Sequence, residues 1–274
     1  MKKKPMFSVL LPSHNGARFL PISLGSLAYQ TDKDFEVILV DNASTDNTLE
    51  VMELLRHKIG AAHGTRIIRR KTNSGHPAFS DGFGEARGEF ACFFSDDDYY
   101  MPRRFEQMRR FLSENPAVDW AHEDVHIWNA VTNKIELVSM ADYAGLPPHA
   151  MLEDFMKGRF PVWGAMALRT SLVKKLGGIS STLHYCEDLD MWLRLINNNT
   201  VLHKRWGEAG YVYRDRPMHW KPIVQEARAR DILKAIWSCH ENATDPKVRE
   251  LSKKYHDQAK LRFSVKKFLR PFMR

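Results

Sequence analysis

Three short apolar runs in the first hundred residues each end at a cluster of polar side chains, and no other feature constrains the fold as much. Phe7 to Leu11 ends at Pro12-Ser13-His14-Asn15, Phe35 to Val40 at Asp41-Asn42, and Phe90 to Phe94 at Ser95-Asp96-Asp97-Asp98. Ile67 and Ile68 mark a weaker run between the second and third. Continuous runs this short suit strands buried on both faces of a parallel sheet. Leu20, Leu24 and Leu27 recur at helical spacing after the first run. Leu49, Met52 and Leu55 do so after the second, where Asn47 followed by Glu50 predicts a capping-box start.

Strand and helix in alternation predict an α/β fold built on a doubly wound, mostly parallel sheet, with ligands at the carboxyl ends of its strands. The polar clusters fall at those ends. The second half is less regular. Val118 to Trp128 reads as a strand, Asn129 to Pro148 as a hairpin plus loop, and Val162 to Leu168 as another buried strand. Glu187 to Ile196 reads as a helix with Met191, Trp192 and Leu195 inward, Tyr211 to Tyr213 as a last strand, and the chain beyond Lys221 as helical.

The length of 274 residues suits one large domain, or one with a small appendage. With 43% hydrophobic residues, the composition excludes collagen-like, mucin-like and wholly disordered classes. Cys92, Cys186 and Cys239 are scattered, so neither a disulfide framework nor a CxxC zinc pair is expected, and a cytoplasmic compartment is the simplest reading. The longest apolar stretch, Phe160 to Leu168, is too short to span a bilayer. Lys2, Lys3 and Lys4 precede an apolar run that Pro12 to Asn15 cut short, against a secretory signal.

The formal charge of +8 admits a nucleic acid, an acidic membrane surface or an anionic substrate as partner. Six basic residues and no acidic one lie from Lys260 to Arg274, so the excess sits largely at the end of the chain. There Leu261, Val265, Phe268, Leu269 and Phe272 form one helical stripe flanked by Arg262, Lys266, Lys267 and Arg270. Such a helix either lies on an anionic membrane, at positions 260–274, or packs on the rest of the protein. No nucleic acid is expected, because the site is lined with carboxylates rather than with basic residues interleaved with stacking aromatics.

Each polar cluster has two readings. Asp96-Asp97-Asp98 places three carboxylates side by side, which calls for compensation; a divalent cation with oxygen ligands would supply it. Otherwise one of the three caps the helix beginning near Pro102 and the others are solvated. Asp41 either accepts an N–H of a nucleobase or makes an Asx-turn. Glu187-Asp188 either caps a helix or supplies a general base. Trp163, Trp192 and Trp220 are either sugar-stacking or core residues.

Taken together and in this order, the clusters beginning at Ser8, Val40 and Gly88, with Glu187-Asp188 about ninety residues later, resemble glycosyltransferase family 2. These are inverting nucleotide-sugar transferases with a GT-A fold. The resemblance covers roughly residues 5 to 220. It implies a transferase domain over 1–220, with a nucleotide-binding half at about 1–115 and an acceptor half at about 116–220. Residues 221–274 are then a helical C-terminal extension.

The implied reaction moves a sugar from a nucleoside diphosphate, UDP by expectation, to a hydroxyl of a saccharide or lipid-linked acceptor at the inner face of a membrane. Pro12, His14, Asn15 and Asp41 match positions around the nucleoside, and Asn73-Ser74-Gly75 an N-x-G segment beside it. Asp96 would lie near the ribose or sugar. Asp97 is the firmest expected ligand of Mg²⁺ or Mn²⁺, with His219 as a second. Asp188 matches the catalytic base, with Glu187 beside it. The alternative is a non-catalytic, metal-dependent nucleotide-binding module, to which Glu187-Asp188 would be useless.

The chain departs from the family pattern in three places. Ser95 replaces the first Asp of D-x-D, and Phe79 stands at a usual arginine. Tyr213-Arg214-Asp215-Arg216 replaces Y-R-x-H, leaving Arg216 or His219 for the pyrophosphate.

Overall fold

The computed structural model describes residues 4–73, 77–140, 143–157, 161–183, 185–198, 203–206, 209–216 and 222–269. They form two compact units. The first takes in residues 1–144, 161–181 and 202–218, and the second 145–160, 182–201 and 219–274. These units cut across the division expected at residue 220, because the helix headed by Glu187 belongs with the C-terminal helices.

The first unit is built on the apolar runs. β1 (Phe7–Ser13), β2 (Phe35–Asp41), β3 (Thr65–Arg69) and β4 (Phe90–Phe93) lie parallel in the order β3-β2-β1-β4. β6 (Trp120–His122), β9 (Met166–Arg169) and β10 (His203–Arg205) complete a sheet ordered β10-β6-β9-β4-β1-β2-β3, with β9 antiparallel to both neighbours. α1 (Leu20–Ala28), α2 (Thr48–Leu55), α3 (Pro77–Gly84), α4 (Arg104–Glu114) and α6 (Thr170–Lys175) belong to the same unit. Phe105 of α4 meets Phe7 and Phe35 at ring-centroid distances of 5.0 and 4.9 Å, fixing that helix on the sheet.

Two polar residues interrupt the apolar runs, and they are opposite one another in register: Ser8 on β1 and Glu36 on β2. Ser8 Oγ donates to Glu36 Oε1 (2.6 Å), Arg87 donates to Oε2 (2.6 Å), and Arg66 donates to Oε2 (3.1 Å). This bolt sits at the opposite end of the strands from the polar clusters.

The segment from Val118 to Trp128 is not one strand. It breaks at Glu123-Asp124, leaving β6 in the large sheet and β7 (Val125–Asn129) in a second sheet ordered β5-β11-β7-β8. β5 is Tyr99–Tyr100, β8 Lys134–Val138 and β11 Tyr211–Asp215. Both residues at the break are buried carboxylates that need partners off the ladder. Glu123 accepts from the fully buried Arg104 and from Gly210 N–H (2.6 Å), and Asp124 from Met140 N–H (2.9 Å). Satisfying them carries the chain from one sheet to the other.

Two further expectations change. Val162 to Leu168 forms a 3-10 turn at Trp163–Ala165 and becomes strand only at β9, with the Tyr211 ring occupying the space a side chain at Gly164 would need. The Asn47 side chain does not cap α2; Asp46 accepts the Thr48 N–H instead, at 3.0 Å.

The second unit is helical. α5 (Pro148–Met156), α7 (Glu187–Ile196), α8 (Pro222–Asn242) and α9 (Pro246–Leu269) pack together, and Met191, Trp192 and Leu195 of α7 are buried as expected. No helix among the described residues is long and apolar enough to cross a membrane.

Candidate active site

Parallel register sets Ser13 at the end of β1 beside Asp41 at the end of β2. Asp41 is buried, and its Oδ1 accepts the Ser44 N–H at 3.2 Å. That bond reaches three residues on rather than the two of an Asx-turn, and it holds the Asp41 carboxylate against the loop that follows β2. Asn15 and Ala43 both adopt left-handed backbone, each with φ of 55°, which is uncommon away from glycine. Asn15 locks the two loops together: its N–H donates to Ser44 Oγ (3.1 Å), and its Oδ1 accepts the Thr45 N–H (2.8 Å). His14 Nδ1 lies 3.0 Å from the Asn42 carbonyl.

Asn42 extends the cluster, donating from Nδ2 to Asn73 Oδ1 (3.1 Å) and accepting from Arg70 Nη1 (2.9 Å). Arg70 also pairs with Asp81 at 2.8 Å. The structure thus joins His14, Asn15, Asp41 and Asn73 into one network, with Pro12 directly before Ser13. Gly75 lies outside the described residues. Sequence reasoning placed Asn42 in a polar cluster without giving it a role and missed Arg70, for which position directly after a strand was the only signal.

The three carboxylates after β4 have three different fates, and none caps α4, whose N-cap is Arg103 with no side-chain bond. Asp96 accepts a hydrogen bond from Ser13 Oγ. Burial pushes its carboxyl up to about 6 against that hydrogen bond, with the Asp97 charge adding to the rise. Asp97 meets Arg216, whose Nε lies 2.5 Å from its Oδ2. Asp98 is buried, accepting from the Tyr211 hydroxyl and from the Arg214 N–H (2.7 Å). Burial and then the Asp97 charge push Asp98 up to about 7. The protein therefore supplies much of the compensation for which a cation had been expected.

A metal still fits the donor set. Mg²⁺-type ions are commonly held by one or two carboxylates plus substrate phosphate oxygens rather than by an all-protein cage. No group of three or more His, Cys, Asp or Glu forms such a cage among the described residues. Asp97 suits the first mode, because its partner Arg216 is 36% exposed and can move aside. His219 lies outside the described residues.

The surroundings of Asp97 are cationic. Arg18, Arg214 and Arg216 stand over the Phe19 ring at 4.4, 5.3 and 4.8 Å, and Arg214 also covers Trp128 at 4.3 Å. Phe79 is a core residue, edge-on to Phe93 and Trp163 at 5.8 and 6.4 Å. Trp163 stacks on Phe93 at 3.9 Å, and Trp192 is buried edge-on to Phe155 at 5.5 Å, so both tryptophans are packing residues. Trp220 lies outside the described residues.

In the second unit, Glu187 and Asp188 open α7 in its first turn, after Cys186 at the N-cap. Glu187 is buried, and Asp188, half-buried, accepts the Leu189 N–H at 2.7 Å. Negative charge at a helix N-terminus is favoured by the helix dipole, which is where α7 places both side chains.

Comparison with known proteins bears on this arrangement. The family described as Glycosyl transferase family 2 matches residues 8–177. An uncharacterized glycosyltransferase of Haemophilus influenzae is 26% identical over 198 residues, 70% of this chain and 62% of that protein. The chain thus spans less than two thirds of that relative's length. Among solved structures, S. aureus TarS 1-349 in complex with UDP-GlcNAc superposes with a TM-score of 0.72 at 21% identity, covering 92% of this chain and 71% of that one. The mannosyltransferase PcManGT from Pyrobaculum calidifontis, in complex with GDP-Man and Mn²⁺, gives 0.64 at 15% identity over 93% and 70%. The fold is that of these GT-A transferases.

Proposed function

The chain belongs to glycosyl transferase family 2, and on that premise we propose that it transfers a sugar, with inversion, from a UDP-sugar to an acceptor hydroxyl. The acceptor is a saccharide or lipid-linked saccharide, as in cell-surface polysaccharide synthesis. One observation carries the reading: Asp41 and Asp96 come together around Ser13 at the carboxyl ends of β1, β2 and β4. That is where this kind of sheet binds nucleotides.

Asp41 accepts an N–H of the base, and Pro12, His14, Asn15 and Asn73 surround the nucleoside. Asp96 faces the ribose or sugar. Asp97 would hold Mg²⁺ or Mn²⁺, which when bound would supply positive charge against the negative charge developing on the leaving diphosphate. Arg216 offers a permanent cation to the same oxygens. The acceptor hydroxyl is a poor nucleophile until Asp188, as general base, takes its proton. UDP-GlcNAc in the TarS complex and Mn²⁺ in the mannosyltransferase complex support the choice of donor class and ion.

Thermal-shift titration with UDP-, GDP- and dTDP-sugars, with and without Mn²⁺, tests the donor reading. UDP-sugars are expected to stabilise the protein only when Mn²⁺ is present; stabilisation by none of them refutes it. UDP release with and without acceptor then separates a transferase from a binding module.

The tail is proposed to touch an anionic membrane. Leu261 is 66% exposed on α9 and stands between exposed Lys260 and Arg262. Positions beyond 263 lie outside the described side chains. Salt-sensitive co-sedimentation with anionic liposomes is expected for the full chain and not for a chain ending at Gln258. Equal binding of both removes the tail from the reading.

A further inference from the structure

The helix that opens with Glu187-Asp188 is held at both ends by α8, inside the second unit. Asp231, in the middle of α8, is 4% exposed, and its Oδ2 accepts the backbone N–H of Tyr185 at 3.2 Å. One residue on, Cys186 Sγ lies 3.9 Å from the Arg228 carbonyl, also on α8. At the far end, Asn197 Nδ2 donates to the Cys239 carbonyl at 3.0 Å, and Cys239 Sγ lies 3.6 Å from Asn197 Oδ1. Burial pushes the Cys186 and Cys239 thiols up to about 12, with the Asp188 charge adding at Cys186. Both stay neutral and act as small packing groups.

Lys234, 65% exposed, lies 4.0 Å from Asp231 and, at the surface, contributes little to holding it. The buried Asp231 carboxylate fixes a backbone N–H three residues before Asp188, at the point where the loop turns into α7. The family match ends at residue 177 and assigns nothing in this region.

We propose that Asp231 is a positioning residue for the reaction: it acts through Tyr185 to set the entry of α7 and hence the aim of the Asp188 carboxylate. α8 is then part of the catalytic apparatus rather than an appended helix. The proposal rests on the reading of Asp188 as the general base. A displacement of about 1 Å in a catalytic group costs up to about 10²-fold in rate, which sets the effect to look for.

The test uses the full chain and two readouts. Hydrogen exchange over residues 183–190 should speed up in Asp231→Ala and stay near wild type in Asp231→Asn, which keeps an acceptor oxygen. In UDP release from UDP-GlcNAc with Mn²⁺, Asp231→Ala should lower kcat by roughly 10-fold or more with donor KM unchanged, and Asp231→Asn should restore most of it. Added to Asp188→Asn, Asp231→Ala should cost nothing further. Should Asp231→Ala not fold, Asp231→Glu, which moves the carboxylate by one methylene, should show the same split between kcat and KM.

Unchanged exchange over 183–190, or a loss of kcat that persists in full in the Asp188→Asn background, overturns the proposal. Normal turnover by Asp188→Asn itself overturns the base reading instead, and the two failures are therefore distinct.

Discussion

Arg216 Nε lies 2.5 Å from Asp97 Oδ2, so the carboxylate assigned to the metal already carries a cation supplied from 119 residues further along the chain. Under the proposed role of Asp97, a divalent ion would compete with this guanidinium for one group, and a displaced Arg216 would be available to phosphate oxygens.

Arg216→Ala should therefore act in opposite directions on two affinities. Binding of Mn²⁺ alone should tighten by roughly 3- to 10-fold, and Mn²⁺-dependent binding of UDP should weaken by a similar factor, since one charged partner is lost from each complex. Mn²⁺ titration followed by electron paramagnetic resonance and calorimetry with UDP would read the two. Asp97→Asn should remove Mn²⁺-dependent UDP binding and leave the fold intact. No change in Mn²⁺ affinity in either variant would exclude exchange at Asp97.

Asp188→Asn keeps the size of the side chain and its bond to the Leu189 N–H, and loses its basicity. Transfer should fall by about 10²-fold or more while donor affinity holds, as measured by steady-state kinetics beside equilibrium binding. Should turnover stay near normal, Glu187 becomes the candidate base.

Gly16→Ala is expected to disable nucleotide binding. A Cβ there would overlap Asp96 Oδ2 and Ser13 Oγ, so the hydrogen bond between them must break to make room. Affinity for UDP with Mn²⁺ should drop by roughly 10-fold, about the value of one hydrogen bond to a charged group. Retained affinity would show that the bond is dispensable.

Glu36 should govern acid stability without touching activity. Burial works to raise its pKa, but the Ser8 hydroxyl, the Arg87 N–H groups and the Arg66 charge outweigh burial and hold the carboxyl below its ordinary range. The unfolded chain therefore takes up the proton first. The stabilisation is complete above about pH 4.3, the unfolded value, and is lost as pH falls through the native one. Glu36→Ala should cost about 1–2 kcal/mol near neutral pH, since Arg87 reaches solvent, and should flatten the acid limb of the stability curve. Urea melts between about pH 7 and pH 3.5 measure both. A variant with the wild-type acid slope would assign that slope elsewhere.

Much of the site was legible because it lies where apolar runs stop. β1, β2 and β4 follow from continuous apolar segments, and α7 from Met191, Trp192 and Leu195 at helical spacing. The break at Glu123-Asp124 was not legible. Its two carboxylates sit inside a run that reads as strand, and only their distant partners Arg104, Gly210 and Met140 show why the chain changes sheets there. Arg70 escaped notice for the same reason, because its value lies in reaching Asn42 and Asp81.

By itself the sequence determined the parallel core, the loops at its carboxyl edge, and the chemical type of the side chains gathered there. Those properties depend on residues close together in the chain, where hydrophobic periodicity and local turn chemistry act. Only the tertiary structure decided what each of the three adjacent aspartates does. Ser13 takes Asp96, Arg216 takes Asp97 and Tyr211 takes Asp98, across separations of 83, 119 and 113 residues. A carboxylate's charge state is set by burial and by whichever donor folds against it, and donors that distant leave no periodic trace in the chain.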